Sequence, residues 1–419
     1  MTKKVRPNLQ KMVYRQNEGI VPEICAESDR ELNSSSPGEI HSLEELPIIG
    51  YELDHDYYHD EVLRENVNAS KHLDFLREDC WQNKIPAVCN EGNPGPEFPT
   101  SYAGEHLWNQ GQLQILLESQ SLLAELIDME ILKIITFDWG KAAAIAIRMA
   151  ARITGRKKVL VAKVVSPERF NVISYYGSPE LDFAVIAYDK DTGLLDLEDL
   201  KKKLSSDIAA VYFENPTYLG SIESQGSEVA DMIGEHGALL VVNVDPASLG
   251  VLTSPCRYGA DIVCGDLHLS GMHRNDKDTQ VGFIAVRDEE KFIKEFPPHL
   301  VGTVSTGLLS QNAMYEIGQT LMQICQYAVM ELNKIPGVKG SRFSSPFLKD
   351  FIVDFNGTGL SVEVINERLL GKKILGGKDL SMDFPEYGQS ALYCVTELHT
   401  RDDIDSLIEA VTEILEEKE

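Results

Sequence analysis

Positive charge is in short supply relative to negative charge in this chain. Against 66 Asp and Glu stand 39 Lys and Arg, a formal charge of −27 over 419 residues. A surface so acidic repels phosphate backbones, which argues against a nucleic-acid partner. The two basic runs, RKK (Arg156, Lys157, Lys158) and KKK (Lys201, Lys202, Lys203), read as solvated helix ends. Seven cysteines are too scattered for a disulfide framework: none forms a C-x-x-C pair, and the count is odd. They suit reduced thiols in a cytoplasmic protein, several buried as small apolar residues. No run approaches the roughly 18 to 20 apolar residues that span a bilayer, so no membrane is expected. The first residues, MTKKVRPNLQKMVYRQNEG, carry positive charge with no apolar segment behind them, and no secretory signal is expected.

What is present is an alternation of strand and helix. KVLVAKVV, FAVIAY, DIAAVYF, ALLVVNV, DIVCG and VGFIAV are short β-branched runs, and helical patterns such as SEVADMIGEHG fall between several of them. KAAAIAIRMAARIT precedes the first. Near-continuous apolar strands joined by crossovers predict an α/β fold: a mostly parallel sheet with helices on both faces. Before it, the prolines and glycines of NEGNPGPEFP enforce a non-helical lead-in to a long helix, GQLQILLESQSLLAELI. Leu113, Leu116, Leu117, Leu123, Ala124 and Ile127 form its apolar face. Residues 1–46 are polar and read as an irregular arm. Residues 47–100 read as a segment packing on or linking to the large domain, and residues 101–335 as that domain. Residues 336–419, after GVKGSRFSSP, form a smaller α+β domain with strands in DFIVDF and ALYCVTE. Its closing helix carries Ile404, Leu407, Ile408, Val411, Ile414 and Leu415 on one stripe, with Thr400 placed to cap it and Asp403 in the first turn.

Open α/β sheets bind ligands at the carboxyl ends of their strands. Two turns sit at such ends: ENP, with Asn215, after AAVYF, and VDP, with Asp245. Asp245 ends the apolar run ALLVVNV, and a desolvated carboxylate needs a partner. In pyridoxal phosphate enzymes of this architecture such an aspartate holds the cofactor's ring nitrogen, and a lysine further on forms the Schiff base. The competing reading is that Asp245 and Pro246 start a turn and cap the next helix. Near the place for the lysine stands Leu269, in DLHLSG, and leucine forms no imine. The nearby Lys277 falls in the polar loop RNDKD. His268 could stack on a ring, donate a hydrogen bond, or sit satisfied at a strand end. The phosphate end would be ITFDWGKAAA, where Thr136 and Gly140 fit a phosphate-binding turn while Asp138 would repel the anion and serves better as a helix cap.

Four stretches carry a family resemblance. FPTSY followed by NQGQLQILLESQSLLAELIDME resembles a tyrosine-bearing lead-in and a Q-G-E-L-Q-like helix. KKVLVAKVVSPE resembles a strand followed by H-P-E. VDPASLGVLTSPCRYGADIVCGD is similar to D-P-x-S-L-G-L-L-x-P-P-x-x-x-G-A-D-I-V-V-G-D. ERLLGKKILGGKDLSMDFPEYGQSALYCVTELHTRDDID echoes the close of the same family. The family is the P-protein of the glycine cleavage system, in its N-terminal-half form, a separate subunit 1 in many prokaryotes; this chain resembles a divergent member from about residue 42 onward. The resemblance implies the fold-type-I frame of pyridoxal phosphate transferases and a partner, subunit 2, that carries the Schiff-base lysine. That pair would decarboxylate glycine, or act on a related small amino acid, and pass the aminomethyl group to the lipoyl arm of the H-protein. It also implies that the missing lysine at Leu269 is ordinary for subunit 1, so that pyridoxal phosphate sits at a site shared with or carried by the partner. Tyr102, Gln110 and Gly111 correspond to the lead-in motif, and Tyr102, Gln110 and Asn215 are substrate-channel candidates.

The departures lie around Glu105 and His106, at ITFDWGKAA, at HRNDKDTQVG, and after LVG, where the family's basic R-E-Q-H-I-R-R segment is replaced by a helix. Two readings follow: a lysine-less subunit of a heteromeric enzyme, inactive alone, or a non-catalytic scaffold or regulator without cofactor, such as a homodimer.

Overall fold

The computed structural model describes residues 72–76, 120–136, 139–266, 282–296 and 311–417. Its strands are β1 Leu73–Asp74, β2 Ile131–Thr136, β3 Lys158–Ala162, β4 Asp182–Ile186, β5 Ile208–Asn215, β6 Leu239–Val244, β7 Ile262–Asp266, β8 Gly282–Val286, β9 Asp350–Asp354, β10 Ile374–Leu375, β11 Lys378–Asp379 and β12 Ser390–Cys394. The helices are α1 Trp139–Thr154, α2 Pro167–Gly177, α3 Leu197–Lys203, α4 Gly226–Gly234, α5 Glu290–Ile293, α6 Gln311–Leu332, α7 Val362–Gly371 and α8 Arg401–Glu416. A further helical stretch covers 120–127.

Seven strands pair in the order β2-β8-β7-β6-β5-β3-β4, and β8 alone runs against the others. All six apolar runs predicted as strands lie in this sheet. β5, β7 and β8 are buried at every residue, while β4, at one edge, is only partly covered. This is what near-continuous hydrophobicity requires: both faces of the central strands meet other elements, so no polar alternation survives. The alanine-rich α1 lies over the sheet with ten of its residues buried, because small side chains let the helix approach closely. Leu123, Ala124 and Ile127 of the 120–127 helix join the same core. Among the described residues no helix is long and apolar enough to cross a membrane.

A second core gathers around the antiparallel sheet β11-β12-β9, covered by α7, α8 and the last turns of α6. The α8 stripe is buried at Ile404, Leu407, Val411 and Ile414, and Thr400 with Asp403 forms a reciprocal capping box. Such a cap is worth about 1 kcal/mol. The first half of α6 instead crosses the short 3₁₀ turn Pro246–Gly250, where a side chain on Gly250 would strike the Met314 carbonyl.

The fold sharpens two sequence expectations. Within the segment expected to pack on or link to the large domain, residues 72–76 pack around the three-stranded sheet: β1 pairs with β10, and Phe75 is fully buried in the second core. A short apolar anchor inside a polar segment is filled by whichever surface offers the matching cavity, which periodicity does not reveal. Arg156 is likewise no solvated helix end. Its guanidinium donates to the carbonyls of Ile208, His236 and Gly237, tying three chain segments together. The KKK run does close α3, as expected.

His399 holds the 72–76 anchor in place. Its Nδ1 accepts from the Thr396 backbone N–H at 3.0 Å, which leaves Nε2–H to donate to the Asp74 carbonyl at 3.0 Å. The ring stacks on Phe75 at 4.6 Å. Burial pushes the imidazole below its ordinary value, against the opposing pull of the Asp74 and Thr396 backbone. A depressed histidine contributes stability that is full above its unfolded value of about 6.5 and is lost as pH falls through the folded value. We therefore expect the melting temperature to drop on acidification below about pH 6.5, and His399→Gln to flatten that part of the profile. Thermal melts of both chains across that range check this; parallel acid branches would refute it.

Candidate active site

Parallel strands bring their carboxyl ends to one edge of the sheet, and that edge is where charged and amide side chains are buried. Glu214 and Asn215 end β5, Asp245 follows β6, and Asp266 ends β7; each is at most 6% exposed. In so apolar a setting a carboxylate must be paired.

Asp245 is paired twice. One carboxylate oxygen accepts from the Ala247 backbone N–H at 3.0 Å, so the residue does cap the following turn. The other forms an ion pair with the Nζ of Lys349, a residue just ahead of β9. Both side chains are 6% exposed. Sequence reading missed Lys349. The available signal was a lysine set in the apolar lead-in FLKDFIVDF, where a charge needs a buried partner.

Glu214 is held by Arg169 of α2, with Nη1 2.6 Å from Oε1. Tyr212 hydroxyl donates to the same oxygen at 3.2 Å and accepts from Asn243 Nδ2 at 3.0 Å. Burial, and then the Glu214 charge, push the Tyr212 phenol far above its ordinary range, so it remains a neutral donor. The Arg169 guanidinium also lies 3.8 Å from the centre of the Trp139 ring. Trp139 opens α1, so the indole and an arginine already committed to a carboxylate lie together at the start of that helix.

The 3₁₀ turn Pro385–Tyr387 packs against the chain that follows β3 and β4. Tyr387 hydroxyl donates to Tyr188 hydroxyl, which donates to Glu386 Oε1 at 3.0 Å; Lys163 Nζ donates to that oxygen at 2.8 Å. Burial alone would raise Glu386, but the hydrogen bonds from Lys163 and Tyr188 bring it below its ordinary value. Burial raises the Tyr387 phenol to about 12. This cluster is a clamp of neutral phenols around a paired carboxylate.

Asn215 is engaged internally. Its Oδ1 accepts from Glu223 N at 3.0 Å, and its Nδ2 donates to Glu223 O at 3.1 Å, bracing the turn after β5. Asp138, His268, Leu269, Tyr102 and Gln110 lie outside the described residues, and of Thr136 only the backbone is described. The four described cysteines are free thiols; Cys264, Cys325 and Cys394 are buried, and burial pushes the first two far above the ordinary thiol range, which makes them inert.

The pyridoxal phosphate group that such a frame implies can be tested against these contacts. Its ring nitrogen needs a strand-end carboxylate, and here that carboxylate already holds a buried ammonium. The described residues do not fit the group as a cofactor of this chain alone.

The sheet order, the single reversed strand and the strand-end carboxylates define a fold-type-I pyridoxal phosphate transferase frame. Solved structures agree: a glycine decarboxylase (P-protein) of the glycine cleavage system in inhibitor-bound form superposes with TM-score 0.70 at 23% identity, covering 99% of both chains. A sphingosine-1-phosphate lyase of Burkholderia pseudomallei gives TM-score 0.67 at 14% identity, covering 90% of this chain and 93% of the lyase. A NifS-like protein gives 0.65 at 13%, covering 82% and 99% respectively. The sequence profile described as "Glycine cleavage system P-protein" matches residues 50–325. Proteins named "Probable glycine dehydrogenase (decarboxylating) subunit 1" are similar throughout. The one from Staphylothermus marinus is 30% identical over 404 residues, 85% of this chain and 86% of the relative. The one from Desulfitobacterium hafniense is 31% identical over 445 residues, 95% and 98% respectively. This chain belongs to the glycine cleavage system P-protein family, among relatives of the subunit 1 type.

Proposed function

We propose that this chain is the lysine-less subunit of a two-chain glycine decarboxylase, in which a lysine-bearing subunit 2 carries the pyridoxal phosphate. The complex would release the glycine carboxyl group as carbon dioxide and hand the aminomethyl group to the lipoyl arm of an H-protein. One observation carries the reading. Residue 269 is leucine, and Lys349, the buried amine at the strand ends, is tied to Asp245. On this reading the imine-forming amine comes from a second chain. The part left to this one is to shape the shared site, exclude water and hold its small domain shut through the Tyr188–Tyr387–Glu386 clamp.

Mixed with the subunit-2 chain of the same organism, the protein should co-elute in gel filtration. Exchange of the glycine carboxyl with labelled bicarbonate, with H-protein present, should require both chains. A borohydride-reducible adduct on this chain alone would overturn the assignment. The buried Trp139 and Arg169 at the start of α1 favour a second reading, a cofactor-free scaffold; self-association without co-elution would support it.

A further inference from the structure

We infer that Lys349 is the built-in counter-ion of Asp245, occupying with its ammonium the place where a pyridinium N–H would otherwise dock, and so pinning the small domain onto the sheet edge. The inference rests on the Asp245–Lys349 geometry and goes beyond the glycine reading.

Three observations lead to it. The first is what the carboxylate already holds: one oxygen accepts from the Ala247 N–H and the other pairs with Lys349. A pyridinium arriving at Asp245 would have to displace the ammonium or crowd a second cation onto one carboxylate. Either course is unfavourable where water is excluded.

The second is delivery. Lys349 is not a surface side chain that happened to fold inward. Its backbone carbonyl accepts from Val395 N at 2.9 Å, and the next residue, Asp350, pairs with Cys394 in the β9–β12 ladder. From the other side, the turn holding Gly220 presses on the Asp350 carbonyl. The ammonium is therefore presented from a fixed backbone, which is what a dedicated counter-ion needs and a chance ion pair lacks.

The third is that the pair links the two sheets. Asp245 follows β6 of the seven-stranded sheet, and Lys349 immediately precedes β9 of the three-stranded one. Opening the molecule at this edge would separate two buried charges, so the pair opposes the opening that a ring-sized ligand would need.

The test uses the full chain and pyridoxine 5′-phosphate, which has the ring nitrogen and phosphate but no aldehyde, so no adventitious imine confuses the result. Equilibrium dialysis and thermal melts compare the wild type with Lys349→Met, Asp245→Asn and the double variant. The wild type should neither bind nor melt differently at millimolar probe. Lys349→Met should melt lower by roughly 10 °C, because it strands a buried carboxylate, and the probe should raise that melting temperature and bind saturably. The double variant, with no charge at either position, should melt near the wild type and ignore the probe. Saturable binding to the wild type that Asp245→Asn removes would overturn the inference. So would a folded Lys349→Met that gains no response. Should Lys349→Met fail to fold, the double variant decides: melting near the wild type supports the counter-ion, and equally low melting overturns it. None of these measurements needs a partner chain, so failure of co-elution with subunit 2 leaves them standing.

Discussion

Arg169→Met should cost about 3–5 kcal/mol of stability, the usual penalty for stranding a buried charge. The two side chains are 6% and 1% exposed, so Glu214 would keep its desolvation cost after losing its cation. Methionine retains most of the side-chain volume against Trp139, which confines the loss mainly to the charge and its stacking on the indole. Glu214 cannot swing out to water, since it lies in a strand buried at all eight residues. Adding Glu214→Gln to Arg169→Met should recover most of the loss, because replacing both partners removes the unpaired charge. Urea unfolding of the wild type, the two single variants and the double variant gives the coupling directly. A loss below about 1 kcal/mol for Arg169→Met would mean that the guanidinium is not the counter-charge.

Gly220→Ala should be nearly as damaging, for steric reasons. Gly220 has φ +96°, in the left-handed region, and an added Cβ would run into the Asp350 backbone carbonyl. Backbone strain of this kind costs about 1–3 kcal/mol, and the clash adds to it because neither neighbour is a flexible side-chain tip. The turn would have to lift away from β9, next to the residue that delivers the Lys349 ammonium. We expect a total loss of about 3 kcal/mol or more, read as a lowered denaturation midpoint. Gly234→Ala is the matched control: it closes α4, and nothing lies within 4 Å of the position an added methyl would take. There alanine should be neutral or stabilising by up to about 1 kcal/mol. Equal melting of Gly220→Ala and the wild type would show that the turn does not press on β9.

Six of the seven strands of the large sheet and the closing helix are legible in the order of residues; β2 is not, its last residues reading instead as the start of a phosphate-binding turn. ALLVVNV and DIAAVYF have too few polar positions to face water on either side, so they had to become central strands under helices. Thr400 and Asp403 set the start of α8 through bonds made within four residues. Local periodicity and local hydrogen bonding need no knowledge of distant chain, which is why they could be read. The same applies to the P-protein family likeness, carried by ordered motifs such as VDPASLG.

How the buried charges pair became visible only in three dimensions. Asp245 and Lys349 stand 104 residues apart, and Tyr188 and Tyr387 stand 199 apart. Burial tells that Asp245 requires a partner, but a pyridinium and an ammonium satisfy a carboxylate equally well in one dimension. Which cation arrives depends on how the small domain docks, and the docking is set by shape: the Gly220 turn against β9, Gly250 beneath α6, and Phe75 in a cavity of the second core. Contacts of that kind are sums over surfaces brought together from all along the chain, and no window of sequence contains them.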